Sequence, residues 1–128
     1  MQTWWSVVLV AAGGAVGALV RHGSNEFCKR WAMTTFGRFV PVSTLLVNVI
    51  GSLLIGVLMA LVRRGQLSEE WRLLLVTGIL GALTTFSAFS FETVMLAREE
   101  SFGLAALNTL ANVALSLCAT WIGWRLCH

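Results

Sequence analysis

The stretch TTFSAFSFET, residues 84–93, sets hydroxyls between phenylalanines late in a long apolar run. Further on, Asn108, Asn112, Ser116 and Thr120 recur every four residues, and Thr44 and Asn48 repeat that interval earlier in the chain. Residues four apart lie on one face of a helix, so the first four form a polar stripe. Every member is neutral, and each amide or hydroxyl can donate a hydrogen bond without fixing a charge. Phe86 and Phe89, three apart, share a helical side; such a pair ordinarily serves core or lipid packing, but an aromatic ring is positive at its edge and hydroxyls stand beside these two. Together these groups could strip water from an anion without trapping it. The plainer alternative is interhelical bonding that glues a bundle, at about 0.6 kcal/mol per contact. That suits a single Ser or Thr; four aligned positions with two asparagines favour a polar pathway.

The elements that must position these residues are membrane helices. Of 128 residues, 57% are hydrophobic and 12% charged, too few polar groups to coat a soluble domain of this size. Met1–Val20, Phe39–Val62, Leu73–Phe91 and Ser101–Trp124 contain no Asp, Glu, Lys or Arg. Each can supply the roughly 20 residues that cross about 30 Å of hydrocarbon. The expected fold is an all-α membrane protein, one domain over 1–128 with spans near 4–21, 40–62, 72–97 and 102–124. All six tryptophans fall at or near the ends of these stretches, where indole favours the headgroup region. The first positive charge, Arg21, follows the first apolar segment instead of preceding it, so that segment is expected to be retained and not cleaved.

The connections read as short and basic: His22–Arg38, Arg63–Arg72, and a last turn at Arg98, Glu99 and Glu100. With four spans, Arg63, Arg64, Arg72 and Arg125 fall on one side, against Arg21, Lys29, Arg30, Arg38 and Arg98 on the other. Loop charge fixes orientation, and here it barely decides. Either a one-charge bias suffices, or the chain inserts both ways and pairs as an antiparallel homodimer. The net charge of +3 is dispersed over loops flanking lipid, which points to anchoring in a lipid bilayer and not to nucleic acid. Gly13 and Gly17, Ser52 and Gly56, and Gly78 and Gly81 would let helix backbones approach closely.

The two glycines Gly78 and Gly81 also loosen the third span just before its hydroxyls. A break near Gly81–Thr85 is expected, freeing carbonyls that must be satisfied by protein, water or an ion. The alternative keeps the helix whole, with Ser and Thr bonded back to the preceding turn.

GALTTFSAFSFET, together with STLLVNVIGS and GGAVGALVR, resembles the fluoride channel family, called Fluc or CrcB, over nearly the whole chain. The resemblance implies a passive fluoride channel of the bacterial cytoplasmic (inner) membrane that relieves fluoride toxicity. It also implies an antiparallel dual-topology homodimer with two pores and a structural Na⁺ at its interface. Carried over by motif, the backbone carbonyls of Gly81 and Thr84 would hold Na⁺. Phe86 and Phe89 would turn ring edges to fluoride, and Asn48 would donate from its amide. Thr44, Ser87, Asn108, Asn112, Ser116 and Thr120 would line the path, and Arg21 and Glu92 match positions near the aqueous vestibules. The chain departs from the family pattern at Ala82, Ala88, Asn108 and Asn112.

Other chemistry is thin. Cys28, Cys118 and Cys127 lack metal-ligand spacing, His22 and His128 lie outside the spans, and no catalytic set stands out, so no enzyme and no organic cofactor are expected. Glu92 could serve as a general base or a proton-coupling carboxylate, though it begins the polar end of the third span. The competing class, a small antiparallel multidrug or cation transporter, needs a carboxylate deep in the first span, and Met1–Val20 has none. A purely structural membrane protein would leave the stripe as packing glue.

Overall fold

Apolar runs of this length fold as helices because a helix satisfies its own backbone where water cannot. The computed structural model describes residues 3–37 and 40–127. Arg38 and His128, which entered the charge and metal readings, lie outside the described residues. Helix α1 spans Thr3–Phe36 and α2 Val42–Arg63. Helix α3 comprises three abutting pieces, Glu69–Trp71, the π-helical Arg72–Leu80 and Gly81–Leu83. Helix α4 is Phe86–Glu99 and α5 is Phe102–Leu126. Among the described residues, four helical units, with Glu69–Glu99 counted as one, are long and apolar enough to cross a membrane.

Two glycines with left-handed backbones end helices. Gly37, at φ 65°, follows α1 and donates to the Met33 carbonyl at 3.1 Å. Gly65, at φ 68°, follows α2; it donates to Val62 at 3.0 Å, and Gln66 donates to Leu61 at 3.0 Å, which closes the last carbonyls. Ser101 caps α5 by accepting from the Leu104 amide at 3.1 Å.

Helix α1 extends well beyond the first apolar stretch. The segment from His22, read above as a connection, is helical through Phe36. Polar residues alone do not stop a helix. No proline interrupts this segment, Glu26 and Lys29 pair at 3.7 Å one turn apart, and only Gly37 turns the chain. At 1.5 Å per residue α1 is about 51 Å long, so it exceeds the hydrocarbon thickness by roughly 20 Å.

Packing follows the glycines. α1 lies against α3, with Gly13 and Gly78 backbone to backbone: a Cβ on Gly13 would overlap the Leu74 carbonyl, and one on Gly78 the Gly13 main chain. A Cβ on Gly17 would overlap the Ile79 carbonyl. α2 and α5 form a second packed pair of comparable extent. There, a Cβ on Gly56 would overlap the Thr120 carbonyl, and one on Gly123 the Leu53 carbonyl. Asn48 bonds Asn112 two turns before Gly56 meets Thr120, an equal advance along both helices, so α2 and α5 run in the same direction. Gly81 differs: its side faces open space, with only the Val76 carbonyl of its own helix within reach.

The interruption expected near Gly81–Thr85 is present. Thr84 and Thr85 adopt extended backbones, with ψ of 153° and 120°, between α3 and α4. Thr84 also bonds back to the Leu80 carbonyl at 2.9 Å. Back-bonding and the break therefore coexist.

Candidate functional site

The interruption strands backbone groups, and its neighbours take them up. In an unbroken helix the Thr85 amide would reach Gly81; here it donates to Asn48 Oδ1 at 2.9 Å. Asn48 Nδ2 returns a bond to the Thr85 carbonyl at 3.2 Å. One side-chain amide thus pairs both ways with the main chain of one residue, as a neighbouring strand would. The Ala88 amide, which would have reached Thr84, donates instead to Thr85 Oγ1 at 3.1 Å. The diversions leave the Gly81 and Thr84 carbonyls without their helical donors. Hard, neutral carbonyl oxygens of this kind suit a hard monovalent cation, and Gly81 is exposed toward the outside of the single chain. Among the described residues no group of three His, Cys, Asp or Glu side chains could hold a metal.

From Asn48 a chain of neutral donors crosses three helices. Asn48 Nδ2 donates to Asn112 Oδ1 at 3.1 Å. Asn112 Nδ2 donates to Asn108, to its carbonyl at 3.1 Å and its Oδ1 at 3.2 Å. Asn108 Nδ2 donates to Thr93 Oγ1 at 2.8 Å, and Thr93 to the Phe89 carbonyl at 2.8 Å. Asn108 and Asn112 are buried on the inward side of α5, and Ser116 and Thr120 follow them half-buried. The Ser116 Oγ is buried with no partner.

Beside this chain lies a cavity of about 410 Å³, whose wall includes Asn48, Thr84, Phe86, Phe89, Asn112 and Ser116. The Phe86 and Phe89 rings meet edge to face, with centroids 5.3 Å apart and planes at 63°. Phe89 is buried whereas Phe86 is 77% exposed, so the pair joins the interior to the surface of the single chain. Ser87 is also exposed, with its hydroxyl 3.2 Å from that of Thr85.

Thr44 and Glu92 form a separate group toward one end. Thr44 donates to Glu92 Oε1 at 2.7 Å, and Glu92 Oε2 is buried without a partner. Glu92 faces a cavity of about 190 Å³ shared with Asn25, Lys29 and Ser43, where Ser43 donates to Asn25 Oδ1 at 2.6 Å. Arg21 is half-buried on α1, and no ion pair joins it to Glu92 among the described residues.

The structure therefore gathers Asn48, Asn108, Asn112, Phe89 and Thr84 around the interruption and sets Thr44 with Glu92 apart. Reading the sequence missed Thr85, whose hydroxyl and main chain both organise the break; a Thr three residues before Ala88 at a helix start was the available signal. It also missed Thr93, the link from Asn108 back to Phe89, which sits one turn past Phe89. Asn25 and Ser43 carried no comparable periodic signal, because they come from different helices.

Residues 8–124 match the family model described as CrcB-like protein, Camphor Resistance (CrcB). A protein of Vibrio parahaemolyticus called fluoride-specific ion channel FluC is 46% identical over 118 residues, 91% of this chain and 90% of its own length. Its namesake in Aeromonas salmonicida is 43% identical over 127 residues, 98% of this chain and 96% of its own length. With the match running from the first helix to the end of the last, this chain belongs to the CrcB family.

Proposed function

We propose that the protein is a fluoride channel, multi-pass in the bacterial cytoplasmic membrane, that lets the ion leave the cell passively. The observation that carries the reading is the uncharged donor chain from Asn48 through Asn112 to Asn108, of which Asn48 and Asn112 share one cavity with the Phe86 and Phe89 rings. Fluoride is small and strongly hydrated, so a pore must replace its water with donors while leaving it free to depart. Neutral amides and ring edges fit that requirement. Passive conduction needs no catalytic group, and the curated relatives carry the name of a channel, not of an enzyme.

Both Asn48 amide hydrogens are engaged, one by the Thr85 carbonyl and one by Asn112. A passing fluoride would displace one of these acceptors and be displaced in turn, which keeps the hold shallow. Ser87 and Thr44 would line the approach, with Ser116 and Thr120 on the α5 side; Arg21 and Glu92 would stand near the aqueous ends.

The functional unit in this reading is an antiparallel homodimer with two pores. The near-equal charge of the two sides supports insertion both ways, and the exposed Gly81 and Phe86 support a partner on that face. The Gly81 and Thr84 carbonyls, having lost their helical donors, would hold a structural Na⁺ there. Its contribution would be a fixed positive charge that balances oxygen dipoles at the interface.

The test is fluoride efflux from liposomes containing purified protein, followed with a fluoride electrode. Release without a proton gradient is the expected result. Vesicles that stay tight while the protein is folded and inserted would overturn the reading.

A further inference from the structure

Hydroxyls in membrane helices normally bond back to the preceding turn, which removes the cost of leaving them unpaired in lipid. Thr84, Ser90, Thr93 and Thr109 do so here, each to the carbonyl four residues earlier. Of the hydroxyls on the wall of the 410 Å³ cavity, Thr84 donates to the Leu80 carbonyl, and Thr85 accepts from the Ala88 amide and pairs with the Ser87 hydroxyl. Ser52 and Ser116 are the exceptions. Ser116 Oγ is buried and unpartnered, and Ser52 makes no hydrogen bond with any described residue.

The two face each other by register. α2 and α5 run in the same direction, and Asn48 meets Asn112 side chain to side chain. Two turns further along both helices, Gly56 meets the backbone of Thr120. Ser52 and Ser116 occupy the turn between these contacts, and both line the same cavity. Gly51, next to Ser52, is covered by the Thr84 methyl, and Gly51, Ser52 and Thr84 all line the cavity.

We propose that Ser52, opposite Ser116, is a donor to the permeating anion, forming with it a hold one turn beyond the asparagine pair. This rests on the channel reading above. Ser52 drew attention in the sequence only as a small residue for packing, yet its hydroxyl is free where packing alone would ask for Ala or Gly. Two uncommitted hydroxyls can rotate to point both hydrogens at an anion, and to bond each other or water once it has left. That rotation distinguishes them from the asparagine rung, whose donors are already engaged. The ligand class is a small, strongly hydrated anion, with fluoride as the probe.

The test is fluoride efflux from liposomes for the parent protein, Ser52→Ala, Ser116→Ala, the double variant and Ser52→Thr, each with its melting temperature in detergent. Losing a hydrogen bond to an ion should slow efflux by roughly tenfold or more in each alanine variant. Ser52→Thr, which keeps the hydroxyl, should retain more flux than Ser52→Ala. The double variant should be no slower than the slower single, because both hydroxyls serve one ion. Melting temperatures should match the parent. Flux in Ser52→Ala within about twofold of the parent would overturn the proposal. So would losses that multiply in the double variant, or a flux loss matched by a fall in melting temperature. If Ser52→Ala does not fold, an unchanged Ser116→Ala overturns it alone. A parent protein that passes no fluoride sinks the channel reading itself, an outcome distinct from all of these.

Discussion

Asn48 serves two masters. Its oxygen secures the Thr85 amide, and its nitrogen divides between the Thr85 carbonyl and Asn112. Asn48→Ala strands a buried amide and leaves Asn112 without a donor, which should cost about 1–3 kcal/mol per group left unpaired. A lowered melting temperature together with lost fluoride flux is the expected outcome. Asn48→Asp keeps the acceptor for Thr85 but loses both donors and adds a negative charge, so flux should fall with less harm to the fold than Asn48→Ala causes. Liposome efflux paired with thermal melts separates the two effects. Phe86→Ile is the complementary case: the ring is exposed and its loss leaves no cavity in the single chain. We expect Phe86→Ile to cut flux while the melting temperature and dimer remain; undiminished flux would count against the ring edges as a path.

Among the helices, glycine position decides what a substitution does. Gly78 touches the backbone of Gly13, whereas Gly81, three residues on, faces open space. Gly78→Val should therefore unseat α1 from α3 and prevent folding of the chain. Gly81→Val should leave the chain folded while weakening its association and its dependence on Na⁺, measurable by size-exclusion profile and melting with and without sodium. Much of this level was legible in the sequence. The four apolar runs, the tryptophans at their ends and the four-residue spacing of the α5 stripe follow from bilayer thickness and helix period, and the glycines before Thr84 foretold the break. Two features were not legible. The extension of α1 to Phe36 looked like a loop because charge was taken as a boundary, whereas a helix stops for backbone reasons that begin only at Gly37. The Asn48–Thr85 and Asn108–Thr93 bonds join residues far apart in the chain, and no local periodicity reports a tertiary contact.

At the scale of the molecule, the proposed antiparallel pair would draw on the near-equal charge of the two sides. Replacing Gln66 and Leu67, between α2 and α3, with lysine should bias insertion to one orientation and abolish function when that variant is expressed alone. Coexpression with a variant biased the other way should restore fluoride resistance in cells; full activity from the lysine variant alone would contradict an antiparallel pair. The interruption also bears on the order in which such a pair is built. The Thr85 and Ala88 amides are secured by Asn48 and Thr85 of the same chain, so the donor side of the kink is settled within one chain, while the Gly81 and Thr84 carbonyls are left open. Each newly inserted monomer would carry that donor side ready-made, and sodium would arrive last, as a latch on the carbonyls.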